Sequence, residues 1–394
     1  MSIKQIWSHI LSTVHRPKKE ILIRSAVLLL CVILTVALIS FLNNSGQSVD
    51  EKTENSLYVT AKVTQVIKDE TSPDPASGGR ILGQQQLRIE ILQGPHKGEN
   101  MEIPNYLSAL HNVYARQGSR IVVRIDTQTN GSYSASVYNY ERTGALIGLI
   151  VCFLLLLCII GGRKGIQSMF GLLFTIACVF FIMLPMILNG APPVWSAILI
   201  AVLTISACFI LLDGVNGKTI SAFLGAVVGV VCAGIFASIA GAAASMSGFN
   251  MQEAESMLLQ AGNKIQIDSL LVAGIIISAL GAVMDIAISI SSSINELHQA
   301  NPKLGTGALL RSGMNIGRDA MGTMANTLIL AFVGSSLNML LLIYSYGIPF
   351  SQLINTDLIG VEIIQGIAAS VGIVLTVPVV ALIGSQIIQR TKAV

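Results

Sequence analysis

Charge is what this sequence has least of. Only 11% of its 394 residues are Asp, Glu, Lys or Arg, while 53% are hydrophobic and the mean hydropathy is +0.71. A soluble globular chain carries about 25% charged residues, so a water-exposed surface over most of the molecule is excluded. Cysteine is scarce too. All six (Cys31, Cys152, Cys158, Cys178, Cys208 and Cys232) fall inside long apolar runs, which excludes a disulfide framework or a thiolate zinc site in the polar part of the chain. Within an apolar run a cysteine is a small packing residue. The glycines never form a phosphate-binding loop followed by Lys and Ser or Thr, no His-Glu zinc helix is present, and no serine sits in a nucleophile elbow. His96 and His111 stand without a ligand cluster. No enzyme, cofactor or metal site is therefore expected, and a net charge of +3 spread along loops carries no nucleic-acid signal.

What the sequence has in place of charge is long hydrophobic stretches. A helix needs about 20 apolar residues to cross the hydrocarbon core, and eight such runs are legible, at 25–42, 144–160, 166–188, 194–212, 219–245, 268–290, 321–345 and 359–388. The first follows a basic arm at 1–24 but lacks a small-residue cleavage pattern, so it reads as a retained anchor. Lys and Arg resist translocation. With the N-terminus inside, thirteen of them fall on the cytoplasmic side: five in the arm, then Arg163, Lys164, Lys218, Lys303, Arg311, Arg318, Arg390 and Lys392. The short loops on the other side hold only Lys264. Both termini are accordingly expected in the cytoplasm, with residues 43–143 outside and a cytoplasmic linker at 291–320.

Residues 43–143 are the one sizeable polar segment. "LYVTAKV" alternates Leu57, Val59, Ala61 and Val63 against Tyr58, Thr60 and Lys62, and "LRIEI" alternates in the same way; both are patterns of half-buried strands. "GSRIVVRID" and "YSASVYNY" read as further strands, with "GPHKGEN" and "TNGS" as turns. About five strands predict a small β-barrel, OB-like, between spans one and two. "TSPDPASGGRILG" reads as a mobile loop. Six tyrosines (58, 106, 114, 133, 138 and 140) offer a stacking platform for a ligand, but packing within the barrel and seating at the membrane face account for them better.

The remaining 251 residues hold 28 of the 36 glycines, so close helix packing is expected there. Ser221, Gly225 and Gly229 form one small-residue row, Ala237, Gly241 and Ser245 continue it, and Gly274 with Ser278 forms another. Against this background one carboxylate stands out. Asp285 lies in the sixth run, and with helical periodicity Ser278, Gly281, Asp285, Ser289, Ser292 and Glu296 share its face. A charge within a span costs about 2.5–3.5 kcal/mol on insertion scales and faces a bundle interior or water. The bland alternative is a boundary residue reached by solvent from the cytoplasm. A partner face is offered by "LLRSGMNIGRDAMGTMANTLILAFVG", where Asn315, Asp319, Gly322 and Asn326 align. The expected cluster is Asp285, Ser289, Thr323 and Asn326 at similar depth, with Arg318 and Asp319 at its mouth. Arg318 serves equally well as an interface anchor. Glu362 opens the last run near its edge, where solvation suffices to explain it, and Pro378 is expected to bend that helix. Asp213 reads as a turn residue at the cytoplasmic boundary.

The stretches "GAVMDIAISISSSINELHQANP" and "RSGMNIGRDAMGTMANTLILAFVGSSLNMLLL" resemble the YibE/F family of bacterial membrane proteins, and the anchor with its outer domain is similar to the longer, YibE-like members. The resemblance implies a multipass protein of the bacterial plasma membrane and assembly with itself or with a paralogous YibF-like subunit. On these readings the expected function is that of a permease or transport-complex subunit for a small solute or ion, with Asp285 coupling protons or cations. The alternative is a non-transporting membrane scaffold that acts through its outer domain.

Overall fold

A computed structural model describes residues 56–127, 133–251, 253–261 and 265–390. The expected arm at 1–24 and anchor at 25–42 lie outside the described residues. The chain divides into two compact units, one ending at Leu156 and the other beginning at Leu157 on its C-terminal side.

The first unit is a curled five-stranded antiparallel sheet, a half-barrel. Its strands are β1 (Ser56–Asp74), β2 (Arg80–Ile91), β3 (Asn100–Leu107), β4 (Arg120–Thr127) and β5 (Tyr133–Tyr140), in the order β3-β2-β1-β4-β5. Alternation decides its inside: Val59, Ala61, Val63, Leu87, Ile89, Ile91, Ile121, Val123 and Ile125 are buried, and their neighbours along each strand face out. Register shifts in β1 between Val63 and Gln65 and between Val66 and Lys68 let one long strand serve two neighbours while it bends. The segment expected to be a mobile loop is instead the end of a β-hairpin. Asp74 accepts a hydrogen bond from the Ala76 amide, and Gly78 and Gly79 take positive φ (71° and 83°), so the chain turns tightly and Asp74 pairs with Arg80. β3, which the turn-rich sequence around it obscures, is an edge strand, the position that tolerates Pro104. The other edge strand comes close to the segment before β3, where Tyr133 hydroxyl donates to Glu99 and its ring lies 4.3 Å from that of His96.

The second unit is helical. α1 (Thr143–Cys178) passes through a π turn at Val179–Met183 into α2 (Leu184–Leu188); then come α3 (Pro193–Asp213), α4 (Gly217–Ala244), the short α5 (Ala254–Ala261) and α6 (Leu270–Ala300). They are followed by α7 (Thr306–Ser335), α8 (Leu337–Ser345), the one-turn α9 (Phe350–Leu353) and α10 (Asp357–Arg390). Five helical stretches are long and apolar enough to cross a membrane, or six if α7 and α8, bent by 60°, count as one. The first of the eight expected runs lies outside the described residues, and the count of eight is not confirmed. The 46-residue stretch Thr143–Leu188 counts as one by length and composition, but it holds two helices, as the two runs expected there require. It is broken at Gly162, whose φ of 54° and ψ of −130° only glycine adopts readily. Past the break, Cys158 Sγ lies 3.7 Å from Met169 Sδ. In a straight helix, residues eleven apart are about 16 Å from each other, so the chain doubles back there. The expected linker at 291–320 is mostly helix, with only a turn between α6 and α7.

α4, α6 and α10 pack mutually, with α3 and α7 alongside. In lipid no hydrophobic force separates helix from solvent, so close fit holds them together. The row on α4 does this: Gly225 faces Val380 and Gly229 faces Thr376 and Val283. Ser221 and Ser291 hydroxyls share one hydrogen bond at 2.5 Å, and the one left free to donate reaches the Lys218 carbonyl, which lies within 2.9 Å of both, tying α4 to α6. Asp213, expected as a turn residue, is the last residue of α3 and pairs with Lys218 at 2.9 Å. Gly274 of the other row does not pack against another helix among the described residues, since a Cβ there would meet nothing within 4 Å. Two further glycines do. Gly313 seats against Ile294 and Ala381, and Gly317 against Val377 and Ile290, so α7 lies antiparallel to α6 in the groove between α6 and α10.

Candidate functional site

α6 has two faces. Ile276, Ala279, Val283, Ile286, Ala287 and Ile290 are buried in the core, and the opposite side carries the polar stripe. Asp285, Ser289, Gly281 and Gly274 are exposed, while Ser278 and Ser292 are half-buried. Serine hydroxyls on this helix satisfy themselves against their own backbone: Ser278 donates to the Ile275 carbonyl at 3.0 Å and Ser289 to the Asp285 carbonyl at 2.7 Å. The Asp285 carboxylate has no such recourse. Among the described residues no hydrogen bond or ion pair reaches it.

α7 repeats the arrangement. Leu309, Gly313 and Gly317 are buried, and Asn315, Arg318, Asp319, Gly322, Thr323 and Asn326 are exposed. Thr323 donates to the Ala320 carbonyl at 2.8 Å. Carried along the antiparallel pair, the Gly317–Ile290 register sets Asp285 level with Gly322 and Thr323, and Asn326 about one turn away. The expected residues are thus neighbours in depth, but they do not close on one another. The face of α7 that meets α6 is its glycine face, and the polar residues lie round the far side. Arg318 and Asp319 form no ion pair with α6 among the described residues. Two polar faces, both open, is the arrangement among the described residues. Among the described residues no three His, Cys, Asp or Glu side chains gather as metal ligands.

A second place escaped the sequence reading. Where α8 bends away from α7, a cavity of about 300 Å³ opens against the start of α10, walled by Ile329, Phe332, Leu340 and Ile363. Gly366 is its floor, and a Cβ there would lie 3.8 Å from Phe332 Cδ2. Glu362 lines this apolar space, with Oε2 buried and without a hydrogen-bond partner. Glu362, expected to be solvated at the helix edge, is half-buried. The available signal was the spacing: a carboxylate one turn before a glycine on an apolar helix.

Fold and site together define a class: a helical protein with five or six candidate membrane spans, a curled antiparallel sheet ahead of them, and unpartnered polar faces on two adjacent helices. The chain belongs to the YibE/F family. Residues 149–390 match the family described as YibE/F-like protein, and residues 56–140, the span of the sheet, match the YibE/F family N-terminal domain. No curated protein and no solved structure matches the chain.

Proposed function

We propose that this protein is a permease or a subunit of a transport complex, in which Asp285 binds the coupling proton or cation. Ser278, Ser289 and Ser292 on α6 and Asn315, Thr323 and Asn326 on α7 serve as ligands or relay, with Arg318 and Asp319 at the mouth. One observation carries the reading. Among the described residues Asp285 is exposed and unpartnered, on the outer face of a helix apolar enough to cross a membrane. Facing lipid it would cost about 2.5–3.5 kcal/mol. Water or a second protein surface removes that cost, so the polar faces of α6 and α7 belong to a hydrated path or to the interface of an assembly. Assembly is with a second copy or a paralogous subunit. The open space beside Gly274, Gly281 and Gly322 supports close approach of another helix.

The protein sits in the bacterial plasma membrane with both ends in the cytoplasm, a reading supported by thirteen Lys and Arg on one side against Lys264 in the short loops of the other. The sheet then lies outside. Its strand order, with β1 central and the two edge strands drawn together, supports an OB-like barrel left open between β3 and β5.

The test is ion flux into proteoliposomes at a series of pH values. Wild type is expected to show pH-dependent flux that Asp285→Asn abolishes. Cellular function retained in Asp285→Asn but lost on deleting residues 50–142 would refute transport and leave a scaffold acting through the sheet.

A further inference from the structure

We propose that this chain assembles with further copies of itself through the polar faces of α6 and α7, so that each Asp285 is enclosed by α7 of a neighbouring copy. The proposal rests on the reading above in placing these helices across a membrane, and it adds the partner and the contacts. The register carries it. Gly313 meets Ile294 and Gly317 meets Ile290, so the residues of antiparallel α6 and α7 match one for one in depth. Carried along both helices, that register puts Glu296 level with Arg311, Ser292 with Asn315, Ser289 with Arg318, Asp285 with Gly322 and Gly281 with Asn326. All of these are exposed except Ser292, which is half-buried, and the two rows share one spacing. Within a chain the rows do not meet, because they lie away from the contact between the helices. A rotation about the membrane normal preserves depth, so copies inserted the same way round present α6 of one to α7 of the next in the same register. The charges then match. α6 carries Asp285 and Glu296 and no Lys or Arg, while α7 brings Arg311 and Arg318, with Asp319 beside them. Glu296 faces Arg311 directly. Arg318 starts one turn, about 6 Å, from the level of Asp285, a span its extended side chain covers. Opposed charges of this kind set register and choice of partner. Gly281 and Gly322, where a Cβ would meet nothing within 4 Å, leave room for the neighbouring backbone near Asp285. Acyl chains offer these polar groups no partner.

Full-length copies bearing Ser292→Cys and one tag are coexpressed with copies bearing Asn315→Cys and a second tag. Oxidation in native membranes is expected to join them in a disulfide dimer that carries both tags. Ser278→Cys with Asn315→Cys, displaced by about 20 Å along the register, is expected to give none, and either single variant with wild type gives the background from the six native cysteines. Wild-type copies labelled with donor and acceptor dyes and reconstituted together in vesicles are expected to show energy transfer that falls on lipid dilution. Glu296→Arg or Arg311→Glu alone is expected to weaken that association about tenfold by setting like charges opposite one another, and both changes in one chain to restore it. Asp285→Asn is expected to associate as wild type does while flux is lost. No energy transfer between wild-type copies overturns the proposal, whatever the folding of the variants. So does association only with a paralogous chain, a displaced cysteine pair that crosslinks as well as the level one, or a doubly reversed chain that associates no better than the singly reversed ones. Association of wild type without flux would refute transport and support the assembly.

Discussion

Gly317 holds the polar face of α7 in register with Asp285, and replacing it with alanine tests whether close packing places the site. A Cβ at this position would overlap Val377 Cγ1, approach Ile290 Cδ1 to 2.9 Å and come within 3.2 Å of Val377 Cβ. The Ile290 methyl ends a flexible side chain and can swing aside, but Val377 is β-branched, 1% exposed and stiff. α7 must therefore shift outward by about an ångström to restore ordinary contact, and overpacking of this kind costs about 1–3 kcal/mol. Val377→Ala alone removes two buried methyl groups, at roughly 1–3 kcal/mol, twice the range for a single one. Combined, the new methyl occupies the space the valine vacates. The double variant is then expected to be more stable than the sum of the two losses by about 0.5–3 kcal/mol. Dodecyl sulfate titration in mixed micelles, followed by far-ultraviolet circular dichroism, gives the four values of the cycle. Losses that add to within about 0.5 kcal/mol would refute the claim that Gly317 is a contact point between α7 and α10.

Two expectations concern the sheet. Gln85 is fully buried and ties the segment after β3 to β2: its Nε2 donates to the Ala115 carbonyl at 3.1 Å, and its Oε1 accepts from the Ala115 amide and from Asn105 Nδ2. Gln85→Leu strands these groups at about 1–3 kcal/mol each, so hydrogen exchange at Ala115 should rise more than tenfold; unchanged protection would count against the tether. Asp69 is held below the ordinary carboxylate value by hydrogen bonds, first from Thr71 and then from Gln85 and Tyr114, against a smaller opposing effect of burial. Glu99 is lowered first by Tyr133 and then by His96, and Asp126 first by Ser56. A depressed folded-state value means stability that is present above the unfolded value, about 4, and lost as pH falls through the folded one. Amide protection in β1 and β2, corrected for intrinsic exchange, should be level from pH 7 to 5 and decline below about 4. A decline already at pH 6 would point to other groups.

Much of the architecture was legible along the chain because periodicity is local. Alternation at Leu57–Val63 and Leu87–Ile91 marks strands that the sheet contains, and the face shared by Ser278, Asp285 and Ser289 is a property of one helix. Turn chemistry was harder to read. Asp74 and the paired glycines look like a flexible loop until the strands on either side are seen to pair through Asp74 and Arg80. β3 was hidden by a proline that an edge strand tolerates. Small residues misled in both directions: Gly274 belongs to a row and packs against nothing among the described residues, while Gly313 and Gly317, four apart on α7, make the contacts that seat it.

The sequence by itself determined that long apolar helices accompany a β-rich segment, where Lys and Arg concentrate, and that a carboxylate stands in an otherwise apolar run. Those are consequences of composition and of a period of 3.6 or 2 residues. Only the tertiary structure decided which way each face turns. The α6 and α7 stripes lie level without meeting, because the glycines of α7 and the isoleucines of α6 occupy the contact between them. Glu362, four residues before a glycine, is half-buried beside a cavity that opens where α8 bends away from α7. A helix's own sequence sets which side chains share a face; the neighbour that face meets is chosen by close packing between helices distant in the chain, which no local pattern records.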